Sequence, residues 1–461
     1  MHSLENNLTE GNITKQLFRF CLPFLLSNFL QAMYNVTDTL VVSWFAGPNT
    51  VSGVSIGGQV TFVCMNFAIG FTVGGTVLVS QFFGAGKRKE LTDTIGTMFT
   101  TLAILSILIT TVVIIFAKPI LTLINTPPEA FDEAHRYLVI CMCGTVFTFG
   151  YNAVAGILRG MGDSKNPLYF VLIAGIVNTA LDIPFVAIFH WDAAGDAAST
   201  ILAQALSLLL AIIYLKKRRF VFDFKLANFR IHTERLKQIL KIGLPNSIQN
   251  VIVGMSFLTM TVLVNGFGVN ASAAVGIAGK FNGFAILPAV AMSSSVASMS
   301  AQNIGAGKHD RAKKTVRSGM MLAFPIGLVF FCAAFFAPQF IMHIFNNDTS
   351  VITNGIEYIK FFSFDYIVVP FLFCINGLLM GAGMTTFTMI NGILCAVVFR
   401  VPIAYLLGIV FEMGLSGIAL AAPAASVGAL IISFCFYKSG IWAKKQLIGE
   451  QMDPLMLDDM M

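Results

Sequence analysis

Asp38 and Asp182 are carboxylates set inside otherwise apolar runs, and each has a polar neighbour four residues earlier, Tyr34 and Asn178 respectively. At helical spacing, residues four apart share one face about a turn apart. If the two faces converge, two carboxylates meet a hydroxyl and an amide. Such oxygens could coordinate Na+, and carboxylates that leave water and share one site can also hold a proton near neutral pH. The residue types leave H+ and Na+ both open. The plainer alternative is that each Asp caps buried backbone beside a helix break, which Pro184 would favour near Asp182. Asp365 and Arg400 are the other clear charges inside apolar runs. A buried ion pair between them is the simplest expectation. A charge at membrane depth costs at least about 2.5 to 3.5 kcal/mol, so each of the four requires a partner or a task.

The elements that carry these residues follow from composition. The chain has 461 residues, 56% hydrophobic and 11% charged, with mean hydropathy +0.79; soluble domains carry about 25% charged residues. Apolar runs near the roughly 20 residues that cross a bilayer recur along the whole length. They place spans near 16–45, 52–82, 93–117, 133–158, 166–190, 194–215, 238–266, 272–303, 315–339, 355–381, 385–411 and 414–437. The expected fold is therefore all-α and integral to the membrane, with twelve transmembrane helices. No stretch outside them is long enough for a separate domain.

Basic residues fall in alternate loops: Lys87 to Lys89, Arg159 and Lys165, Lys216 to Arg219 and on to Lys237, Lys308 to Lys314, then Lys444 and Lys445. The opposite loops are nearly free of Lys and Arg, with Lys118 the exception. An even helix number with both termini cytoplasmic satisfies this bias. It also accounts for the net charge of +6 without nucleic acid, because no extended basic face exists. Trp44 and Trp191 fall at outer helix ends, where amphipathic rings favour the interface. The polar start through Lys15 and the lack of a small-residue cleavage site predict no cleaved signal peptide. All eight Cys lie in apolar segments without a CxxC pair, which argues against disulfides and zinc.

An internal repeat organises the spans. SQFFGAGKR at 80–88 answers SAQNIGAGKH at 300–309, with Gly84 and Gly86 opposite Gly305 and Gly307 at an offset of 221. Tyr137 matches Tyr358, and Gly160 and Gly162 match Gly381 and Gly383, in the same register; Pro23 and Pro245 agree within one residue. Six helices per half is an even number, so both halves enter the membrane in the same orientation. The repeat is a parallel pseudo-two-fold, suited to a transport path between two bundles. The expected organisation is an N-lobe over 1–215, a cytoplasmic linker over 216–237 and a C-lobe with a short tail over 238–461. The same register puts Thr259 or Met260 opposite Asp38 and Ile403 opposite Asp182, so the carboxylates belong to one half.

The paired GAG loops, YNVTDTLVV in the first span, NTALDIPFV in the fifth and RVPIAYLL in the eleventh together resemble the multidrug and toxic compound extrusion (MATE) family, across nearly the whole chain. The resemblance implies two six-helix bundles that export organic cations, drugs and other amphiphiles in exchange for H+ or Na+. It carries the family's cation-coupling cluster onto Tyr34, Asp38, Tyr137, Asn178, Asp182 and Thr200, with Na+, if used, at Asp38, Asn178, Asp182 and Thr200. Where some branches have an acid early in helix seven, this chain has only Gln249 and Asn250. It is therefore similar to the DinF-like branch, which couples in the N-lobe, and no second cation site is expected in the C-lobe.

Pro23 lies fifteen residues before Asp38, and a proline inside a helix permits a bend there. The 21 Met and 43 Phe offer adaptable apolar lining for varied amphiphiles. No cofactor is expected beyond the coupling ion, and the partners are small amphiphilic substrates and membrane lipid, with the chain acting as a monomer in a prokaryotic inner membrane. An enzyme is disfavoured by the lack of an HExxH, a P-loop or a believable catalytic triad, and a channel by the lack of a repeated filter. A flippase for lipid-linked sugars is the alternative transporter. It would need several deep cationic residues for pyrophosphate, where Arg400 is the only one.

Overall fold

The computed structural model of the chain describes residues 6–218, 220–444 and 447. Arg219, Lys445 and the tail beyond Leu447 lie outside the described residues. Among those described, every regular element is helical. The long helices are α1 (Ile13–Phe45), α2 (Pro48–Gly84), α3 (Arg88–Ile115), α4 (Pro128–Cys143 continuing as Thr145–Gly160), α5 (Lys165–Ile188) and α6 (Asp192–Lys217). Then come α7 (Thr233–Asn265), α8 (Val269–Gly305), α9 (His309–Phe336), α10 (Thr349–Phe362 continuing as Asp365–Gly381), α11 (Thr385–Val410) and α12 (Gly414–Lys438). Nine of these are long and apolar enough to cross a membrane as single helices, and α4 and α10 also qualify as bent pairs. With α1, 33 residues long, the set reaches the expected twelve.

The repeat is legible in the backbone. Gly86 and Gly307 end α2 and α8 at φ of 70° and 73°, and Gly162 and Gly383 follow α4 and α10 at 85° and 77°. Left-handed φ at a helix end is where only glycine is free of a Cβ penalty, which explains the two conserved spacings within the chain. The bends also correspond: α4 turns by 48° at Gly144, and α10 by 42° between Phe362 and Asp365. A Cβ on Gly144 would lie 2.2 Å from the Ile201 side chain, so the bend also lets α6 approach. Short helices at Ala117–Leu123 and Pro338–Phe345 begin 221 residues apart as well.

The chain divides into two compact units. The first holds Leu22–Val79 and Lys87–Ser247 with Asn6 and Asn7; the second holds Leu8–Cys21, Ser80–Gly86 and the described residues from Ile248 on. These limits depart from the expected lobes of 1–215 and 238–461, because the divisions fall inside α1, α2 and α7. Local contacts supply the reason. In the second unit, Arg311 donates to the carbonyls of Glu10 (2.8 Å) and Gly11 (2.7 Å), drawing the N-terminal segment into that unit. A Cβ on Gly84 would meet the Gln302 carbonyl oxygen at 2.0 Å, and one on Gly305 would meet that of Gln81 at the same distance. These repeat-related close approaches seat the end of α2 beside α8. In the first unit, the expected linker packs against α3: Phe222 is buried with its ring 5.9 Å from Phe99 and 5.3 Å from Phe229, and the His232 amide donates to the Thr97 hydroxyl at 3.1 Å.

Candidate functional site

α5 sets Asn178 and Asp182 a turn apart on one buried face. Immediately after Asp182 the helix widens into a π-turn, Ile183–Ile188, which contains Pro184 and closes with the Phe189 amide on the Pro184 carbonyl at 2.9 Å. Proline's missing N–H removes one α-helical hydrogen bond there, and π-turns inside helices recur at functional sites. The chain then reverses into α6, where Gly195 lets the helix approach the Phe185 carbonyl; a Cβ on it would lie 3.0 Å from that oxygen. The next residue is Asp196.

Asp38 of α1, Asp182 of α5 and Asp196 of α6 converge. A carboxylate oxygen from each lies within 4.8 Å of the other two. Asp182 and Asp196 are buried and Asp38 is half-buried. Ser199 donates to Asp182 Oδ1, and the Asn178 amide donates to the Thr200 hydroxyl at 3.3 Å. Tyr34 sits against Gln204 and within electrostatic reach of Asp38. Tyr137 of α4 lies within the same reach of Asp196 and Asp38, pressed there by α2, since a Cβ on Gly57 would come 2.8 Å from its ring.

Of the six residues named from the sequence, Asp38 and Asp182 meet at one point with Asp196, Tyr34 and Tyr137 stand within electrostatic reach of it, and Asn178 and Thr200 pair with each other, one turn before Asp182 and next to Ser199. Asp38 Oδ1, Asn178 Oδ1, Asp182 Oδ2 and Asp196 Oδ1 are each buried without a hydrogen-bond partner. Four such acceptor oxygens, with no cationic side chain among the described groups acting on Asp38, Asp182 or Asp196, are the donor set that a hard cation takes, so Asp38, Asn178, Asp182 and Asp196 fit Na+, and the carboxylates, Asp38 and Asp182 being neighbours within hydrogen-bonding reach, equally fit a proton. Asp196 was missed because it opens a helix after a polar segment, where an acid reads as a solvated helix start. The available signal was its spacing, four residues before Thr200.

Pro23 lies within α1, which stays helical from Ile13 to Phe45, and Ser27 donates to the Pro23 carbonyl at 2.9 Å. Asp365 and Arg400 both face one large cavity in the second unit, of about 770 Å³. The direct ion pair expected between them is not formed. Arg400 lays its guanidinium over the Phe257 ring, 4.6 Å from the centroid, and its Nε and Nη1 lack hydrogen-bond partners. Asp365 is turned to Ser426, with Oδ1 likewise unpartnered. Each side chain has found a local support on a neighbouring helix in place of the other. Gln249 and Asn250, which stand where some branches carry an acid, line the same cavity.

A family profile, MatE, matches residues 23–183 and 245–406, one segment in each half of the repeat. The chain belongs to the MatE family. The probable multidrug resistance protein YpnP of Bacillus subtilis (strain 168) is 27% identical over 445 residues, which cover 96% of this chain and 99% of that protein. The probable multidrug resistance protein YoeA of the same organism is 27% identical over 446 residues, covering 95% and 96%. Among solved structures, an outward-facing multidrug resistance MATE family transporter of the MOP superfamily superposes with a TM-score of 0.88 at 23% identity, covering 95% of this chain and 97% of that one. That likeness supports the twelve-helix MATE fold. Membership makes this chain a multi-pass membrane transporter and not an enzyme.

Proposed function

We propose that this MATE transporter is a secondary active antiporter that exports organic cations, drugs or other amphiphiles in exchange for H+ or Na+. The observation that carries the reading is the group of three carboxylates whose oxygens lie within 4.8 Å of one another. Like charges at that separation repel strongly once water is removed, so the group requires a positive charge among its oxygens at every stage of a cycle. A proton, Na+ or the cationic end of a substrate can supply it in turn, and that exchange is what an antiporter needs. Asp38 and Asp182 are the exchanging groups; Asp196, Asn178, Tyr34, Tyr137 and Thr200 orient them and share the ion.

Multidrug export is supported by the names of the Bacillus relatives, both called probable multidrug resistance proteins. The DinF-like branch is supported by Gln249 and Asn250 in place of an acid early in α7. Cytoplasmic termini are supported by the basic-loop alternation and a prokaryotic inner membrane by the Bacillus relatives, and the proposed working unit is the monomer. A proline-permitted bend of α1 at Pro23 would let the state of Asp38 alter that helix.

Purified protein in proteoliposomes tests the reading. A proton gradient and a sodium gradient are imposed separately, and accumulation of a fluorescent organic cation is followed. One of the two gradients should drive uphill movement, and the matching ionophore should collapse it. Uphill movement indifferent to both gradients would overturn the antiport assignment.

A further inference from the structure

The cavity of the second unit is built differently from the acid cluster. At about 770 Å³ it falls in the range that holds a drug-sized molecule. Its wall carries one deep acid and one deep base, Asp365 and Arg400, each more than nine-tenths buried. They lie within electrostatic reach of each other but form no direct ion pair. Phe257 supports the guanidinium from one side, and Ser426 fixes the carboxylate. The two charges are therefore held ready and apart, with Asp365 Oδ1 and Arg400 Nε and Nη1 unpartnered. Buried polar atoms left unmatched are costly unless a ligand meets them.

The rest of the wall suits an apolar body. Tyr358, Phe362, Tyr366 and Phe373 line it. On α8, Gly276, Gly279 and Gly283 fall at helical spacing, and a Cβ on any of them would meet nothing within 4 Å, so this stripe of the wall, beside Val275 and Asn282, stays open.

We propose that this cavity binds zwitterionic amphiphiles, with the ligand's ammonium at Asp365, its acid group at Arg400 and its apolar body against the aromatic wall. A simple cation would satisfy Asp365 but bring like charge toward Arg400, and an anion would do the reverse. Only a ligand carrying both charges matches both groups. The inference does not rest on the coupling assigned to Asp38, because its readout is binding and not transport.

Three dansyl probes of one chain length test it on the full chain in detergent: Nε-dansyl-lysine is zwitterionic, dansylcadaverine lacks the acid and dansyl-6-aminohexanoic acid lacks the ammonium. The zwitterion should bind at least about tenfold more tightly than either relative, a ratio equivalent to about 1.4 kcal/mol. Arg400→Gln and Asp365→Asn should each abolish that preference. Gly279→Leu keeps both charges and projects a side chain into the cavity from a position whose Cβ meets nothing within 4 Å, so it should weaken zwitterion binding with little change in melting temperature; it remains informative if a charge variant fails to fold. Displacement of the zwitterion by phosphatidylethanolamine but not by phosphatidylglycerol would support the same charge matching with a lipid headgroup as its source. Displacement by neither supports a soluble amphiphile. Equal affinity for all three probes, or zwitterion binding untouched by Gly279→Leu, overturns the proposal.

Discussion

Gly58 in α2 and Gly279 in α8 stand 221 residues apart, the register of the glycine turns that end the two helices, and the space beside each is open; the residues just before them differ. A Cβ on Gly57 would strike the Tyr137 ring at 2.8 Å, whereas the matching residue of α8, Ala278, carries its Cβ in a buried place. In the first unit the small residue closes helices onto the acid cluster. In the second, Gly279 borders an open cavity. The chemistry follows the packing. Asp38, Asp182 and Asp196 share one crowded point, so they act together and call for positive charge. Asp365 and Arg400 are single opposite charges on a roomy wall, so each can meet its own part of a ligand. A repeated scaffold has thus been closed around charge in one unit and kept hollow in the other. The backbone devices, paired glycine turns and paired helix bends, stayed alike.

The largest expected effect breaks the comparison at its charged side. Asp38→Asn and Asp182→Asn should each reduce gradient-driven export to background in vesicles while leaving a folded, inserted protein. The amide keeps the shape but cannot carry the exchanging charge. Asp196→Asn should retain partial export with an altered ion dependence, and Asn178→Ala, Tyr34→Phe and Thr200→Ala should weaken export less. Full activity with unchanged ion dependence in Asp38→Asn would remove the cluster from the mechanism.

The packing against Tyr137 and beside the cavity is tested by two substitutions. Gly57→Ala forces Tyr137 to shift and should cost about 1 to 3 kcal/mol of stability. Gly279→Ala enters open space and should be neutral or stabilising by up to about 1 kcal/mol through helix propensity. Thermal unfolding in detergent measures both. Equal losses at the two glycines would mean that the two places are packed alike.

The smallest effect concerns Asp365 and Arg400. Breaking a direct buried ion pair costs about 3 to 5 kcal/mol. With the two side chains held apart, Asp365→Asn and Arg400→Gln should each stay within about 1 kcal/mol of wild type. A large loss from either one, rescued in the double variant, would restore the direct pair and bring the two charges out of the ligand's reach.

The twelve spans, the glycine turns and the repeat were legible in the sequence because each depends on neighbours along the chain. An apolar run must pair its backbone within its own helix once in lipid, and a left-handed turn selects glycine wherever it occurs. The same locality made Asp38 and Asp182 stand out, since a carboxylate amid apolar residues carries its own energetic cost. Composition did not mark Asp196 as one of the cluster, because its place depends on a π-turn at Pro184 and the approach of Gly195 to the Phe185 carbonyl. Nor could it reveal that Arg400 rests on Phe257 in preference to Asp365, that Phe222 draws the linker against Phe99, or that α8 borders a hollow. These are matters of which distant side chains fill the same space. The sequence by itself determined the helices, their repeat and the rarity of their charges; tertiary packing decided which charges meet, because convergence is set by contacts between segments that no local pattern encodes.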